Sequence, residues 1–268
     1  MEFYTYIPHT ISSFVKSFWY LRISGSRPFR EEIIPDGHHE IIFHLDKNPA
    51  KRLVSEKGWI QEPNAFVAGQ TLKSYTLEIE NDSVLYGIRF YPHTLTLLFG
   101  IPAVLTTDEV FSLENLPYSA LLLPCVSEFP DQTFRNFEQL LYKIIHRANV
   151  NSNAFRLVEA SVLEILKHNG VCRIDHLICE LGISQRYLDT LFKKFVGLNP
   201  KSFCNIIQLN FFINYKNQHA PATLTQCAYE AQFFDQSHLI KSFKAIIGKT
   251  PRQYFDQNYY ISNRFAAL

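Results

Sequence analysis

The 268-residue chain has no uninterrupted apolar run long enough to span a bilayer, and its start, Met1-Glu2-Phe3-Tyr4, lacks the basic-then-apolar pattern of a secretory signal. A cytoplasmic location with no membrane partner is the expectation. Cysteines are few and odd in number. Cys125, Cys172, Cys179, Cys204 and Cys227 are widely spaced and mostly set in apolar helical patterns, which argues against a disulfide framework or a zinc knuckle and for reduced core residues. A paired nucleophile and base, a phosphate loop and a nucleotide fingerprint are also missing, so neither enzymatic activity nor a cofactor is expected.

Apolar residues are plentiful, at 47% of the chain, which excludes a mainly disordered protein and allows two domains with a core each. The net charge of +1 hides an asymmetry. Residues 1–154 hold 13 Lys and Arg against 17 Asp and Glu, a net −4; residues 155–268 hold 13 against 8, a net +5. Phosphate contacts need clustered Lys and Arg, so only the second half is suited to a polyanion.

Up to about residue 120 the chain reads as short strands broken by turns: 14–23, 40–45, 65–68, 75–79 and 84–90. Tyr75-Thr-Leu-Glu-Ile alternates with a period of two, and Pro35-Asp36-Gly37 is a turn ahead of a strand. Many short strands without long helices between them predict an antiparallel domain, a cupin-like barrel or a sandwich. From about residue 131 the period becomes helical. Phe134, Phe137, Leu141, Ile144 and Ile145 form one stripe behind Asp131 as N-cap, a connector or dimer contact. A further helix carries Leu157, Val158, Val162, Leu163 and Leu166 and ends near Asn169-Gly170.

After Gly170 one unit occurs twice. In the first copy Ile174, Leu177, Ile178 and Leu181 make a buried stripe, Gly182-Ile183-Ser184 turns the chain, and Ser184 caps a helix burying Leu188, Leu191, Phe192 and Phe195. Short helix, glycine turn and capped second helix is the pattern of a helix-turn-helix. Adding 51 takes Ser184 to Asp235, Leu188 to Leu239, Phe192 to Phe243, Lys193 to Lys244, Gly197 to Gly248, Pro200 to Pro251 and Phe203 to Tyr254. Before the turn the offset is 50, taking Ile178 to Ala228 and Leu181 to Ala231, so the second turn is one residue longer. The second unit starts at Leu224 with Thr225 as cap. Between the copies, 200–219 reads as one helix of about 30 Å with Phe203, Ile206, Ile207, Phe211 and Tyr215 on its apolar stripe.

The chain resembles the AraC/XylS-type transcription regulators over about 171–255. The residues that carry the resemblance are Leu177, Gly182, Ser184, Arg186, Leu188, Phe192, Gly197 and Pro200, then Phe233, Asp235-Gln236-Ser237-His238-Leu239, Lys241, Phe243-Lys244, Gly248, Thr250-Pro251 and Tyr254. More loosely, Ile34-Pro35-Asp36-Gly37-His38-His39-Glu40, Phe66-Val67-Ala68-Gly69-Gln70 and Gly87-Ile88-Arg89-Phe90-Tyr91-Pro92 look like the front domain of some of these regulators. The resemblance implies an α+β chain, an N-terminal β-rich domain followed by an all-α domain with two helix-turn-helix units on a linker helix. Expected boundaries are 1–125 for the sensory or dimerising domain, 126–152 for a helical connector and 153–268 for DNA binding. Double-stranded DNA is the implied partner, while a small-molecule effector, RNA polymerase and a second copy of the chain are open. Two residues depart from the family pattern: Gln232 stands where Gly is usual, which predicts a slightly altered second turn, and Thr190 where Arg is frequent.

A reading helix offers the side chains of its first turns to base edges. The candidates are therefore Gln185, Arg186, Asp189, Thr190 and Lys193 in unit one, and Gln236, Ser237, His238, Lys241 and Lys244 in unit two. Arg186 and Gln185 suit guanine and adenine edges, and Lys193 and Lys244 suit phosphates. Asp189 repels phosphate, so it either accepts from a cytosine amine or pairs with Arg186. In the front half His38, His39, Glu40 and His44 resemble a metal-ligand list, which leaves a cupin-type metal enzyme fused to a DNA-binding tail as the alternative, with a protein-interaction module as a third. His38, Glu40 and His44 share one strand face and His39 the other, and no second cluster stands near. Turn and half-buried strand histidines with no metal is the expectation.

Overall fold

The computed structural model describes residues 1–46, 49–54, 58–257, 259 and 261. Among the described residues the front half holds ten strands: β1 (Glu2–Tyr6), β2 (Val15–Arg22), β3 (Phe29–Ile33), β4 (His39–His44), β5 (Lys51–Val54), β6 (Gly58–Gln61), β7 (Ala65–Ala68), β8 (Tyr75–Ile79), β9 (Val84–Phe90) and β10 (Phe111–Ser112). They form two antiparallel sheets, one in the order β1-β2-β9-β4-β7-β10 and one in the order β3-β8-β5-β6. Five strands lie where the sequence puts them, to within a residue or two. The additional ones, β1, β3, β5, β6 and β10, are short or carry charge.

The large sheet is buried on both faces, which explains the nearly unbroken apolar run in β2. Phe18 and Tyr20 face one core with Tyr86, Ile88 and Phe90 of β9 and Ile41 and Phe43 of β4. Trp19 and Leu21 face the other, with Leu85 and with Leu77 and Ile79 of the small sheet. The period-two geometry of a strand sends alternate residues to the two cores. Gly87 lies opposite Trp19, and a Cβ there would sit 2.0–2.3 Å from the indole, so only glycine lets that ring lie across β9.

Helices cover the outer face: α1 (Thr94–Phe99), α2 (Ser119–Leu122) and α3 (Pro130–Ile145). Phe134 and Phe137 of α3 meet Phe18, and Phe137 stacks on Phe43, so the stripe read as connector or dimer contact packs on the chain's own sheet. The N-cap of α3 is Phe129 with Pro130 in the first turn; Asp131 is inside the helix, a correction to its role as cap.

The remaining helices are α4 (Asn153–Lys167), α5 (Ile174–Leu181), α6 (Gln185–Phe195), α7 (Pro200–Gln218), α8 (Leu224–Glu230), α9 (Gln236–Ile247) and α10 (Pro251–Phe255). Asn169 and Gly170, after α4, both have positive φ, as the expected helix stop requires. The cap of α8 is Thr223 in a reciprocal box with Gln226, not Thr225. Among the five free cysteines, Cys204 and Cys227 are buried core residues, Cys125 and Cys172 are half-buried and Cys179 is exposed. Among the described residues no helix is long and apolar enough to cross a membrane.

Candidate nucleic-acid interface and the cavity behind it

α5 with α6, and α8 with α9, form the two helix-turn-helix units. Ser184 caps α6 by accepting from Tyr187 N, and Asp235 caps α9 by accepting from His238 N at 2.6 Å. The two turns share a left-handed residue, with φ of 64° at Gly182 and 55° at Gln232, although the second is one residue longer. The second turn therefore keeps the left-handed geometry despite Gln232, contrary to the expected alteration, at a strain of about 1 kcal/mol.

One helix serves both units. Phe203, Ile206 and Ile207 in the first half of α7 pack with Leu188, Leu191 and Phe192 of α6 and with Phe155, Val158 and Val162 of α4. Leu209, Phe212 and Ile213 in the second half pack with Ala228, Phe233, Leu239 and Phe243. This is why α7 is buried on more than one face and why Phe211 and Tyr215, expected on a single stripe, are only half-buried. At about 1.5 Å per residue its 19 residues span about 28 Å.

Of the sequence candidates on α6, Gln185, Arg186, Thr190 and Lys193 are exposed and Asp189 is half-buried; Gln236, Ser237, His238, Lys241 and Lys244 on α9 are all exposed. Thr190 donates its hydroxyl to Arg186 O at 2.9 Å. No ion pair joins Arg186 to Asp189 among the described residues. Two exposed aromatics beside these sets, Tyr187 and Phe234, were not among the candidates.

The front domain grips both units and the helix between them. Thr96 donates to Lys194 O (2.8 Å) and Thr107 to Gly197 O (3.0 Å) at the end of α6. Ser74 N–H donates to Ile246 O (2.9 Å), and Lys249 pairs with Glu32, at the end of α9. Asn210 of α7 donates to Pro35 O (2.7 Å), and the 34–38 loop lies so close to α7 that a Cβ on Gly37 would be 2.8 Å from Ile207.

Behind that loop is a cavity of about 320 Å³, walled by Trp19, Leu21, Ile42, Leu77 and Leu85 from the sheets and by Ile207, Asn210, Phe211 and Asn214 from α7. One end is charged. Arg89 pairs with both Asp36 and Glu40. Arg52 donates to Glu62 (2.6 Å), whose other oxygen meets His44 Nε2 (3.0 Å). Burial pushes the Tyr75 hydroxyl, beside Arg52, up to about 12. His38 Nδ1 faces Phe90 O (3.0 Å), so it carries the proton and Nε2 accepts from Lys16 Nζ at 3.2 Å. Burial holds His38 well below its ordinary pKa and lowers Lys16 to about 8. Asn214 Oδ1, also on the cavity, is buried without a hydrogen-bond partner among the described residues.

The histidines are more buried than the sequence suggested. His38 and Glu40 share a face, as the strand period predicts, and that face lines the cavity; His39 lies by the Pro92 and Val196 backbone instead. His93 lies against Phe155 (5.5 Å) and Glu159 (3.7 Å), and burial lowers both His39 and His93 to about 4. Among the described residues no three His, Cys, Asp or Glu side chains are grouped so as to hold a metal ion. Lys16, Asp36, Arg52, Glu62 and Asn214 were missed in the sequence, where each reads as an ordinary polar position.

Lys16 gives a direct stability test. Its pKa of about 8 lies below the ordinary 10.5, so between those values the unfolded chain binds more protons and native stability rises with pH; below pH 8 the whole penalty is present. Lys16→Met should therefore stabilise the protein at pH 7 by on the order of 1–3 kcal/mol, with the gain shrinking from pH 8 towards 10.5. Urea unfolding at pH 7 and 10 checks this, and a variant less stable than wild type at pH 7 contradicts it.

Two family models match the chain. Residues 178–257 match a helix-turn-helix domain, and residues 5–112 match a domain of unknown function, DUF6597. No curated protein matches it. Solved structures of ToxT from Vibrio cholerae are similar over most of the length. One, at 1.65 Å resolution, is 13% identical, with 89% of this chain and 98% of that one covered and a TM-score of 0.48. Another, bound to (E)-4-(8-methylnaphthalen-1-yl)but-3-enoic acid, is 13% identical with the same coverage and a TM-score of 0.47. A third, with unsaturated fatty acid bound, is 14% identical over 88% of this chain and 92% of that one, with a TM-score of 0.43.

Proposed function

From the premise that residues 178–257 are a helix-turn-helix domain, we propose that the chain is a DNA-binding regulator of the AraC type that reads two successive major grooves with one chain and that a small molecule in the interdomain cavity adjusts the reading. Base contacts are assigned to Gln185, Arg186, Asp189 and Thr190 of α6 and to Gln236, Ser237, His238 and Lys241 of α9, phosphate contacts to Lys193 and Lys244. The observation that carries the reading is the shared helix. Because each half of α7 is built into the core of one unit, the two reading helices cannot move apart independently, and the 28 Å length of α7 is near the roughly 34 Å of one duplex turn.

Effector sensing is supported by where the cavity lies. Its floor is the 34–38 loop and its wall is α7, so a ligand touches the two parts that hold the reading units. Lys16 offers a donor and Asn214 Oδ1 an acceptor in a lining that is otherwise largely apolar, which suits a small amphipathic molecule with both an acceptor and a donor. A buried cation kept at a cost in stability is common at functional sites.

DNA selected from random sequence by the full chain tests the proposal. Affinity for the selected site should fall steeply between about 50 and 200 mM salt, about tenfold for every two phosphates neutralised. A folded chain that retains no DNA at about 50 mM salt contradicts it.

A further inference from the structure

Superposing the two turns leaves one residue over. With Gly182 matched to Gln232 by their positive φ, and Ser184 matched to Asp235 as caps, Ile183 corresponds to Phe233. Both pack into the cores of their units, Ile183 partly and Phe233 fully buried. The residue without a counterpart is Phe234. It is 92% exposed, the most exposed large apolar side chain among the described residues, so the core has no use for it.

Its place is the N-terminal end of α9, directly before the cap Asp235 and the exposed Gln236, Ser237 and His238. That end of a reading helix points at base edges. The polar candidates on α9 can bond to amino groups, ring nitrogens and carbonyl oxygens, but the thymine methyl is recognised by an apolar contact, which none of them supplies. α9 itself carries Lys241 and Lys244 and no acidic residue, a charge that favours DNA over an apolar protein partner.

We propose that Phe234 is a specificity-determining residue that packs against a thymine methyl group in the groove read by the second unit. This rests on the DNA-reading function above and adds a base preference that only the second unit has.

The experiment is a deoxyuridine scan of the selected site, which removes one methyl group at a time, on the full chain and on Phe234→Ala. One thymine in the second half-site should cost wild type about fourfold when replaced by uracil, the worth of one buried methyl group. Phe234→Ala should bind the thymine site about that much more weakly and be indifferent to the replacement, with an unchanged melting temperature. Phe129→Ala, which removes another exposed aromatic, the one before α3, should behave as wild type. The proposal is overturned if Phe234→Ala binds as tightly as wild type, if its uracil profile matches that of wild type, or if its effect is on self-association of the free chain. A wild-type chain without any preferred sequence overturns the underlying DNA-reading function and this proposal with it.

Discussion

Arg89→Met should lower the unfolding free energy by about 3–5 kcal/mol, more than any reading-helix substitution will change it. The guanidinium is 2% exposed and holds two carboxylates, Glu40 directly across the β4–β9 ladder and Asp36 in the loop against α7. Methionine fills the space but leaves Glu40 buried without a counter-charge, and the loss of a partner costs more than the pair itself was worth. Burial already raises the Glu40 pKa, and Arg89 is the main influence lowering it, so the variant raises it further. A carboxyl with a raised folded pKa costs most stability when ionised, at high pH, and the cost is relieved as pH falls through that pKa. The deficit of Arg89→Met should thus be largest at pH 7 and narrow on acidification. Urea unfolding at pH 7 and pH 5 measures both; an unchanged midpoint at pH 7 contradicts the assignment of Arg89 as the clamp of the interdomain loop.

The DNA-binding half was more legible in the sequence than the cavity, for a physical reason. A helix-turn-helix needs a left-handed turn residue, a cap and a helix stop at fixed offsets, and Gly182, Ser184 and Gly197 with Asp235, Gly248 and Pro251 state those needs locally. Where two local signals competed, boundaries slipped. Thr223 and Thr225 flank Leu224, and the pairing with Gln226 decides for Thr223. Pro130 takes the first helical turn and displaces Asp131 from the cap. Two of the strands that escaped notice, β3 and β5, hide buried charge: Glu31 of β3 accepts from Ile261 N, and Arg52 of β5 is paired with Glu62. Such residues look like solvent positions until a partner far along the chain is known. The cavity is the extreme case, since Lys16, Asp36, Arg89 and Asn214 come from four distant segments and only the fold brings them to one space.

The reading residues rest on exposure and motif, and their test is a comparison of two variants. Arg186→Ala removes the side chain best shaped for a guanine edge in unit one, and Lys241→Ala removes an exposed cation of α9 proposed to read bases; both positions are exposed, so folding should be unaffected. If each side chain contacts bases as proposed, its removal should cost about 1–3 kcal/mol of discrimination, roughly tenfold to a hundredfold, at those bases and little elsewhere. If α7 holds the units one duplex turn apart, those bases lie in half-sites about ten base pairs from each other. The decisive measurement is a footprint of the full chain on its selected site with a base-substitution scan for each variant. Two protected grooves on one face of the duplex, with Arg186→Ala relaxing specificity in one and Lys241→Ala in the other, is the predicted result; protection of a single groove, or loss of preference at the same base pairs in both variants, contradicts the account.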